Sequence, residues 1–313
     1  HTRCADVTGV QTCALPICMV YGFEGPKGTD IISIADPENP ELLYEWRIEN
    51  QDLHMRTGGM DVKYFKWGGR YYVVQSLQFG AGGPNHDLGA VVLDVTGLPD
   101  PSAVHEVARI HEPETPGGFH NIFVYKHSSG RVLLLSTVSG AFANVYDLGK
   151  VVEGDVENAR IGRIPTPAQQ TRRGYHDFYA GYHVDTGTDR FYGGGTGGYY
   201  VYDFTDIDNP ELLVTLTGIP GVRSGHTFTP GPNGRYVVAE TEYKYAPLRI
   251  FDLKPALKRG ILYLANSIVL QILRACAIGH RPQGDSRRNQ TVKPIDRRKA
   301  LLFLVRVGSV FGT

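Results

Sequence analysis

The chain has 313 residues, of which 32 are Lys or Arg and 32 are Asp or Glu, so its formal net charge at pH 7 is zero. That neutrality is a cancellation: from residue 254 onward twelve basic residues face two acidic ones, while the first 253 residues carry 20 basic and 30 acidic. An acidic body excludes the broad basic surface by which nucleic-acid binders neutralise phosphates.

Taken in chain order, the first stretch breaks from everything after it. Residues 7–17 read Val-Thr-Gly-Val-Gln-Thr-Cys-Ala-Leu-Pro-Ile, which resembles the in-frame translation of a common sequencing-library adapter. Residues 1–18 are therefore expected to be an artefact and are set aside from fold reasoning. Three of the four cysteines (Cys4, Cys13 and Cys18) lie in or beside that stretch, and Cys276 lies far down the tail. A body without cysteine, residues 19–253, has no disulfide framework, thiolate metal site or thiol nucleophile.

Beyond residue 28 short runs of Val, Ile, Tyr and Phe alternate with clusters of Gly, Pro, Asn and Asp, and no helical stripe interrupts them. The runs end in Asp36, Asp94, Asp147, Asp203 and Asp252, at steps of 58, 53, 56 and 49 residues, and Asn-Pro-Glu-Leu-Leu occurs at both 39–43 and 209–213. A drifting period of about fifty residues marks an array of β units. One unit reads strand by strand at 119–125, 131–137, 142–147 and 159–164, with glycine turns between. Four antiparallel strands at such spacing make one propeller blade. The expectation is an all-β propeller of four-stranded blades. The count gives the last two strands of one blade, three full blades and most of another. With about four blades against rings of 4–8, the propeller is expected to be incomplete.

The Asp-Pro and Asn-Pro pairs suit the connection between third and fourth strands, where Pro fixes φ and Asp or Asn bonds nearby backbone. Those turns carry a resemblance. Asp-Ile-Ile-Ser-Ile-Ala-Asp-Pro-Glu-Asn-Pro-Glu-Leu at 30–42 and Tyr-Val-Tyr-Asp-Phe-Thr-Asp-Ile-Asp-Asn-Pro-Glu-Leu at 200–212 resemble the LVIVD repeat, with a looser copy at 91–101. The resemblance covers about residues 28–253. It implies a β-propeller, often exported or surface-associated, and hence an extracellular, periplasmic or cell-surface location. It implies no particular chemistry.

Chemistry is suggested by one periodic feature. Each expected innermost strand opens with an aromatic or Gly, then His, then a small polar residue: Phe119-His120-Asn121, Tyr175-His176-Asp177 and Gly225-His226-Thr227. The steps of 56 and 50 residues keep the blade period, so the three imidazoles should meet on the propeller axis. The matching place in the preceding blade is Met60-Asp61. Three imidazoles, joined by Asp61 or Asp177, suit a divalent transition metal such as Zn²⁺, Cu²⁺ or Fe²⁺. The plainer use of each His is to cap its own blade by donating to backbone of the next. Tyr175, Tyr179 and Arg223 are further candidates for the channel mouth.

Other signals are weaker. The run Gly193-Gly194-Gly195-Thr196-Gly197-Gly198 satisfies G-x-G-x-x-G, but a Tyr-rich strand follows it and no helix, so the dinucleotide reading fails. Residues 77–87 form a long glycine-rich insertion. His183 and Asp185 read as residues at a strand end, where exposed turn positions are the default, and His54, His86, His105, His111 and His127 read as loop residues without period. A Ser-His-Asp triad is a spatial arrangement that sequence alone does not locate.

Three readings compete for the basic tail, residues 254–313. It is a phosphate- or lipid-binding segment, a membrane span over 261–278, or a frameshifted or chimeric join beyond about residue 258. The polar residues Asn266, Ser267, Gln271 and Arg274 argue against the span, and the join is preferred. The primary functional expectation is a non-enzymatic binding module presenting a channel mouth to a protein or small-molecule ligand. One alternative is a metal-dependent oxidoreductase or lactonase-like hydrolase using His120, His176 and His226. Another is a truncated fragment with no function in this form.

Overall fold

The computed structural model describes residues 17–19, 28–53, 57–79, 82–167, 173–243 and 246–259. Residues 1–16 and the basic tail from residue 260 lie outside the described residues, as do His54 and residues 261–278. Among the described residues, no helix is long and apolar enough to cross a membrane.

Among the described residues the alternating runs form strands that pair in chain order within five antiparallel meanders. The first sheet holds β1 (Ile17–Met19), β2 (Gly28–Ser33) and β3 (Glu41–Arg47). The second holds β4 (Thr57–Trp67), β5 (Arg70–Phe79), β6 (Leu88–Asp94) and β7 (His105–His111). The third holds β8 (Ile122–Lys126), β9 (Val132–Thr137), β10 (Phe142–Asp147) and β11 (Arg160–Pro165). The fourth holds β12 (Tyr175–His183), β13 (Thr188–Gly195), β14 (Gly198–Asp203) and β15 (Glu211–Thr217), and the fifth β16 (Phe228–Pro230), β17 (Tyr236–Ala239) and β18 (Arg249–Asp252). Two short helices, α1 (Leu148–Val152) and α2 (Lys254–Arg259), follow third strands.

The opening strands β4, β8, β12 and β16 lie side by side in series, as the inner strands of radially arranged blades do. Four apolar clusters fill the seams between consecutive sheets. Between the second and third sheets the fully buried Phe119 packs with Val74, Val92 and Leu134. Its ring occupies the place a side chain at Gly89 would need, 2.3 Å from an added Cβ. At the far end Ala256 of α2 is buried in the last cluster beside Leu253.

The repeated aspartates are turn caps. Asp94, Asp147, Asp203 and Asp252 end third strands, and each accepts the backbone N–H two residues on, from Thr96, Gly149, Thr205 and Lys254. Asp94 and Asp252 also pair with Arg70 and Arg235 at the start of second strands. Asp36 does not belong to this series. In the first sheet Ser33 ends the strand and accepts from Ala35 N. Asp36 instead matches Asp206, since both accept from the side-chain amide three residues on, Asn39 at 2.8 Å and Asn209 at 2.9 Å. The expected turns between third and fourth strands are therefore Asp-x-x-Asn turns, closed side chain to side chain.

Two buried polar networks lock sheets together. The carboxylate of Glu112, 2% exposed, accepts from Asn144 Nδ2 (2.7 Å), Tyr146 Oη (2.7 Å) and Arg160 Nη1 (2.8 Å), tying the end of the second sheet to the third. The carboxylate of Asp189 on β13 accepts from Tyr125 Oη and Ser128 Oγ, and stands 3.3 Å from His127 Nε2. His127 Nδ1 in turn meets Ser129 Oγ at 2.8 Å. This is a Ser-His-Asp trio, but Ser129's own N–H bonds the same Nδ1 at 3.1 Å. The imidazole lone pair is thus shared within a tight turn, which joins the third sheet to the fourth.

Several expectations need correction. His105 and His111 bound β7 and are not loop residues. His127 does lie in the loop between β8 and β9, but it is buried in the trio above. His183 does end its strand, β12, but it is half-buried, its Nε2 2.6 Å from Tyr192 Oη. The inner strand of the third sheet starts at Ile122, so His120 precedes it. His226 likewise precedes β16, and only His176 lies within its strand.

Candidate functional site

The segments entering the inner strands are clamped to the preceding sheet. Phe119 N donates to Leu77 O (2.7 Å), Gly174 N to Gly140 O (2.6 Å) and Gly225 N to Gly195 O (2.7 Å). At Gly118 the chain takes φ +74°, and an added Cβ would stand 2.1 Å from Leu77 O, so only glycine fits there. These clamps set His120 and His226, each one residue on, and His176, two residues on from Gly174, at the axis. On β12 the register shifts between Tyr175 and Asp177, leaving His176 as the extra residue of a bulge. Bulges re-aim side chains, and here the bulge turns the imidazole toward its neighbours. The same irregularity spans Met60 and Asp61 on β4.

The three imidazoles do meet. The His120 and His176 rings stand 4.6 Å apart, edge to face, and the His176 and His226 rings 4.1 Å apart. His120 is oriented by Gln78, whose Oε1 meets Nδ1. Asn121 Nδ2 donates to His176 O (3.0 Å), joining the two segments. His226 Nδ1 lies 2.8 Å from Thr227 Oγ1 and 3.2 Å from Glu240 Oε1. Glu242 Oε2 approaches His176 Nε2 at 3.3 Å and His226 Nε2 at 3.9 Å. His176 Nδ1 is buried without a hydrogen-bond partner among the described residues.

Burial governs protonation. It pushes His120 down to about 3, helped by Arg173, His176 and His226. It pushes His176 down to about 4, helped by His226 and Arg173. Both rings are neutral at pH 7, so the 3.3 Å approach of Glu242 to His176 is not an ion pair. Burial also raises the Asp177 carboxyl above its usual range.

The imidazoles separate two cavities. A mouth of about 540 Å³ is lined by Gln78, Thr137, Ser139, Arg173, Thr196 and Ser224, and a channel of about 710 Å³ by Asp61, Lys63, Asn121, Asp177, Thr227 and Glu242. His120 and His176 line both. Tyr175 lines the mouth with its hydroxyl on Pro165 O (2.7 Å), and Tyr179 lines the channel. Arg173, not the exposed Arg223, stands at the mouth.

Asp61 and Asp177 line the channel but are engaged locally: Asp61 pairs with Lys63 at 2.5 Å, and Asp177 accepts from Phe178 N at 2.8 Å. The carboxylate that joins two of the imidazoles is Glu242, which the repeat pattern does not reveal. Gln78 and Glu240 were equally hidden. Both sit at the ends of second strands, where a polar residue closing an apolar run was the available signal.

The glycine run 193–198 supports the site. Gly193, Gly194 and Gly195 end β13, Gly198 opens β14, and an added Cβ at Gly194 would stand 2.0 Å from His226 O.

No protein-family model and no curated protein matches the chain. Among solved structures it is similar to the C-terminal domain of Pseudomonas aeruginosa PilY1, at 13% identity and TM-score 0.50 over 78% of this chain and 58% of that domain. It is also similar to an exo-β-1,3-galactanase from Phanerochaete chrysosporium (8% identity, TM-score 0.43, 73% of this chain and 55% of that one). An endo-arabinase from Bacteroides thetaiotaomicron matches at 14% identity and TM-score 0.37, over 76% of this chain and 87% of that one. At such identities likeness speaks to fold alone, and it agrees with the radial meanders of three and four strands: the chain is an all-β protein of β-propeller architecture.

Proposed function

We propose that the protein is an LVIVD-type propeller acting as a non-enzymatic binding module, exported or at the cell surface, with its ligand site at the axial mouth. One observation carries this reading: the mouth cavity is walled by polar side chains from successive blades and floored by the His120–His176 pair. A concave site with a few convergent polar groups is the usual form of a small-molecule site. The lining of amide, hydroxyl and guanidinium groups suits a small polar ligand.

Thermal-shift measurements on the full chain, with a panel of hexoses, amino acids and short dicarboxylates, test it. One class should raise the melting temperature and be recovered chemically unchanged. Ser139→Trp, which places bulk at the exposed rim, should abolish that shift. A panel without effect, or a shift that survives Ser139→Trp, would count against the mouth as the site. The second reading, a metal-dependent oxidoreductase or lactonase-like hydrolase, is favoured by the grouping of His176, His226 and Glu242. Ligand recovered as an oxidised or hydrolysed product would favour it.

A further inference from the structure

The imidazoles and Glu242 bring one set of metal-ligating atoms close together. A nitrogen from each of His176 and His226 and a carboxylate oxygen of Glu242 all lie within 4.8 Å of one another. Ligands at roughly 2.0–2.1 Å from a tetrahedral ion stand roughly 3.3–3.4 Å apart. The His176–Glu242 separation of 3.3 Å already meets that, and the His226–Glu242 separation of 3.9 Å needs only a small swing of Glu242. That side chain is 72% exposed and free to make it.

The support behind His226 fits as well. Metal-bound imidazoles commonly donate their other N–H to a carboxylate or similar acceptor, which fixes the tautomer. His226 has Glu240 Oε1 3.2 Å from Nδ1, which leaves the Nε2 lone pair facing Glu242. His120 packs edge-on against His176 with Nδ1 held by Gln78, outside the grouping.

We propose that His176, His226 and Glu242 bind one divalent transition metal, with a fourth position open to the channel. All three residues line the channel cavity of about 710 Å³, so water or a ligand oxygen reaches that position from there. Two imidazoles and one carboxylate are a donor set that zinc accepts in three-ligand sites, and imidazole also suits copper and nickel. The proposal rests on these three side chains and is independent of what enters the mouth.

The test is calorimetric titration of ZnCl₂ into the full chain, freed of metal by chelator and exchanged into chelator-free buffer. One equivalent should bind. Glu242→Gln should weaken binding at least about tenfold, His226→Ala should abolish it, and Glu240→Gln should weaken it about 10- to 100-fold. Because Glu242 is exposed, its variant should keep the parent circular dichroism and melting temperature, so that weaker binding reports the ligand and not the fold. Co²⁺ supplies a second readout: the visible d–d absorption of a four-coordinate ion, present in the parent and lost in Glu242→Gln. Absence of a stoichiometric site overturns the proposal. So does binding unchanged in both Glu242→Gln and His226→Ala, which would assign it to surface histidines such as His86, His105 and His111. Binding indifferent to Glu242→Gln but lost in His120→Ala overturns this ligand set in favour of three imidazoles.

Discussion

Replacing Gly194 by alanine tests how the axial histidines are held. Gly194 pairs with Asp177 on one side and Tyr199 on the other, in the middle of the fourth sheet. An added Cβ would lie 2.0 Å from His226 O, 2.7 Å from its carbonyl carbon and 3.1 Å from its nitrogen. All three are backbone atoms, so no rotamer change relieves the clash. Real Cβ contacts stay above 3.0 Å, so the segment carrying His226 must retreat by about 1 Å. Overpacking of this kind costs about 1–3 kcal/mol. Alanine returns about 0.4–1 kcal/mol by restricting the unfolded chain, which leaves a net loss of about 0–2.6 kcal/mol, centred on about 1.3 kcal/mol. Urea denaturation of the full chain, followed by circular dichroism, measures it. Gly231→Ala is the control, because its nearest neighbour is Tyr236 O at 3.4 Å, and it should fall within about 0.5 kcal/mol of the parent. If Gly194→Ala does the same, the close approach of β13 to the His226 segment is not what demands glycine there.

Further outcomes are expected elsewhere. Glu112→Ala strands Arg160, Asn144 and Tyr146 at a seam and should cost about 3–5 kcal/mol in urea denaturation; a loss under about 1 kcal/mol would show that the network contributes little. Burial, aided by Arg190 and opposed by Asp185, holds His183 at about 4 against an ordinary 6.5. The folded state therefore resists protonation, and stability should fall as pH drops through 6.5 toward 4, by at most about 3 kcal/mol and less for a half-exposed ring. His183→Gln should flatten that part of the stability–pH curve, and an unaltered slope would refute the assignment. The Asp-x-x-Asn turns are exposed, so Asn209→Ala should cost under about 1 kcal/mol by thermal melting, and a larger loss would mean the turn holds register.

The architecture was legible because period-two patterning and glycine turns are local, and each blade repeats them. Strand register was less so. Asp36 and Asp203 look alike in sequence, yet one closes a turn and the other ends a strand, because Ser33 performs the capping in the first sheet. At the axis the periodic part could be read and the singular part could not. His120, His176 and His226 repeat with the blades, whereas Gln78, Glu240 and Glu242 come from second-strand ends whose direction depends on neighbouring sheets. Asp61 and Asp177 had the right chemistry and period, but their own surroundings engage them first.

The proposed ligands do not all ride on one blade. His176 belongs to the fourth sheet, while His226 and Glu242 flank strands of the fifth. An ion held between them would act as a clasp across that seam, since whatever binds only the docked arrangement favours docking by mass action. Amide exchange in β16 and β17 would slow as metal is added while exchange in β5 and β6 stayed the same. The last blade would then be fastened from the axis outward, its grip set by the metal concentration around it.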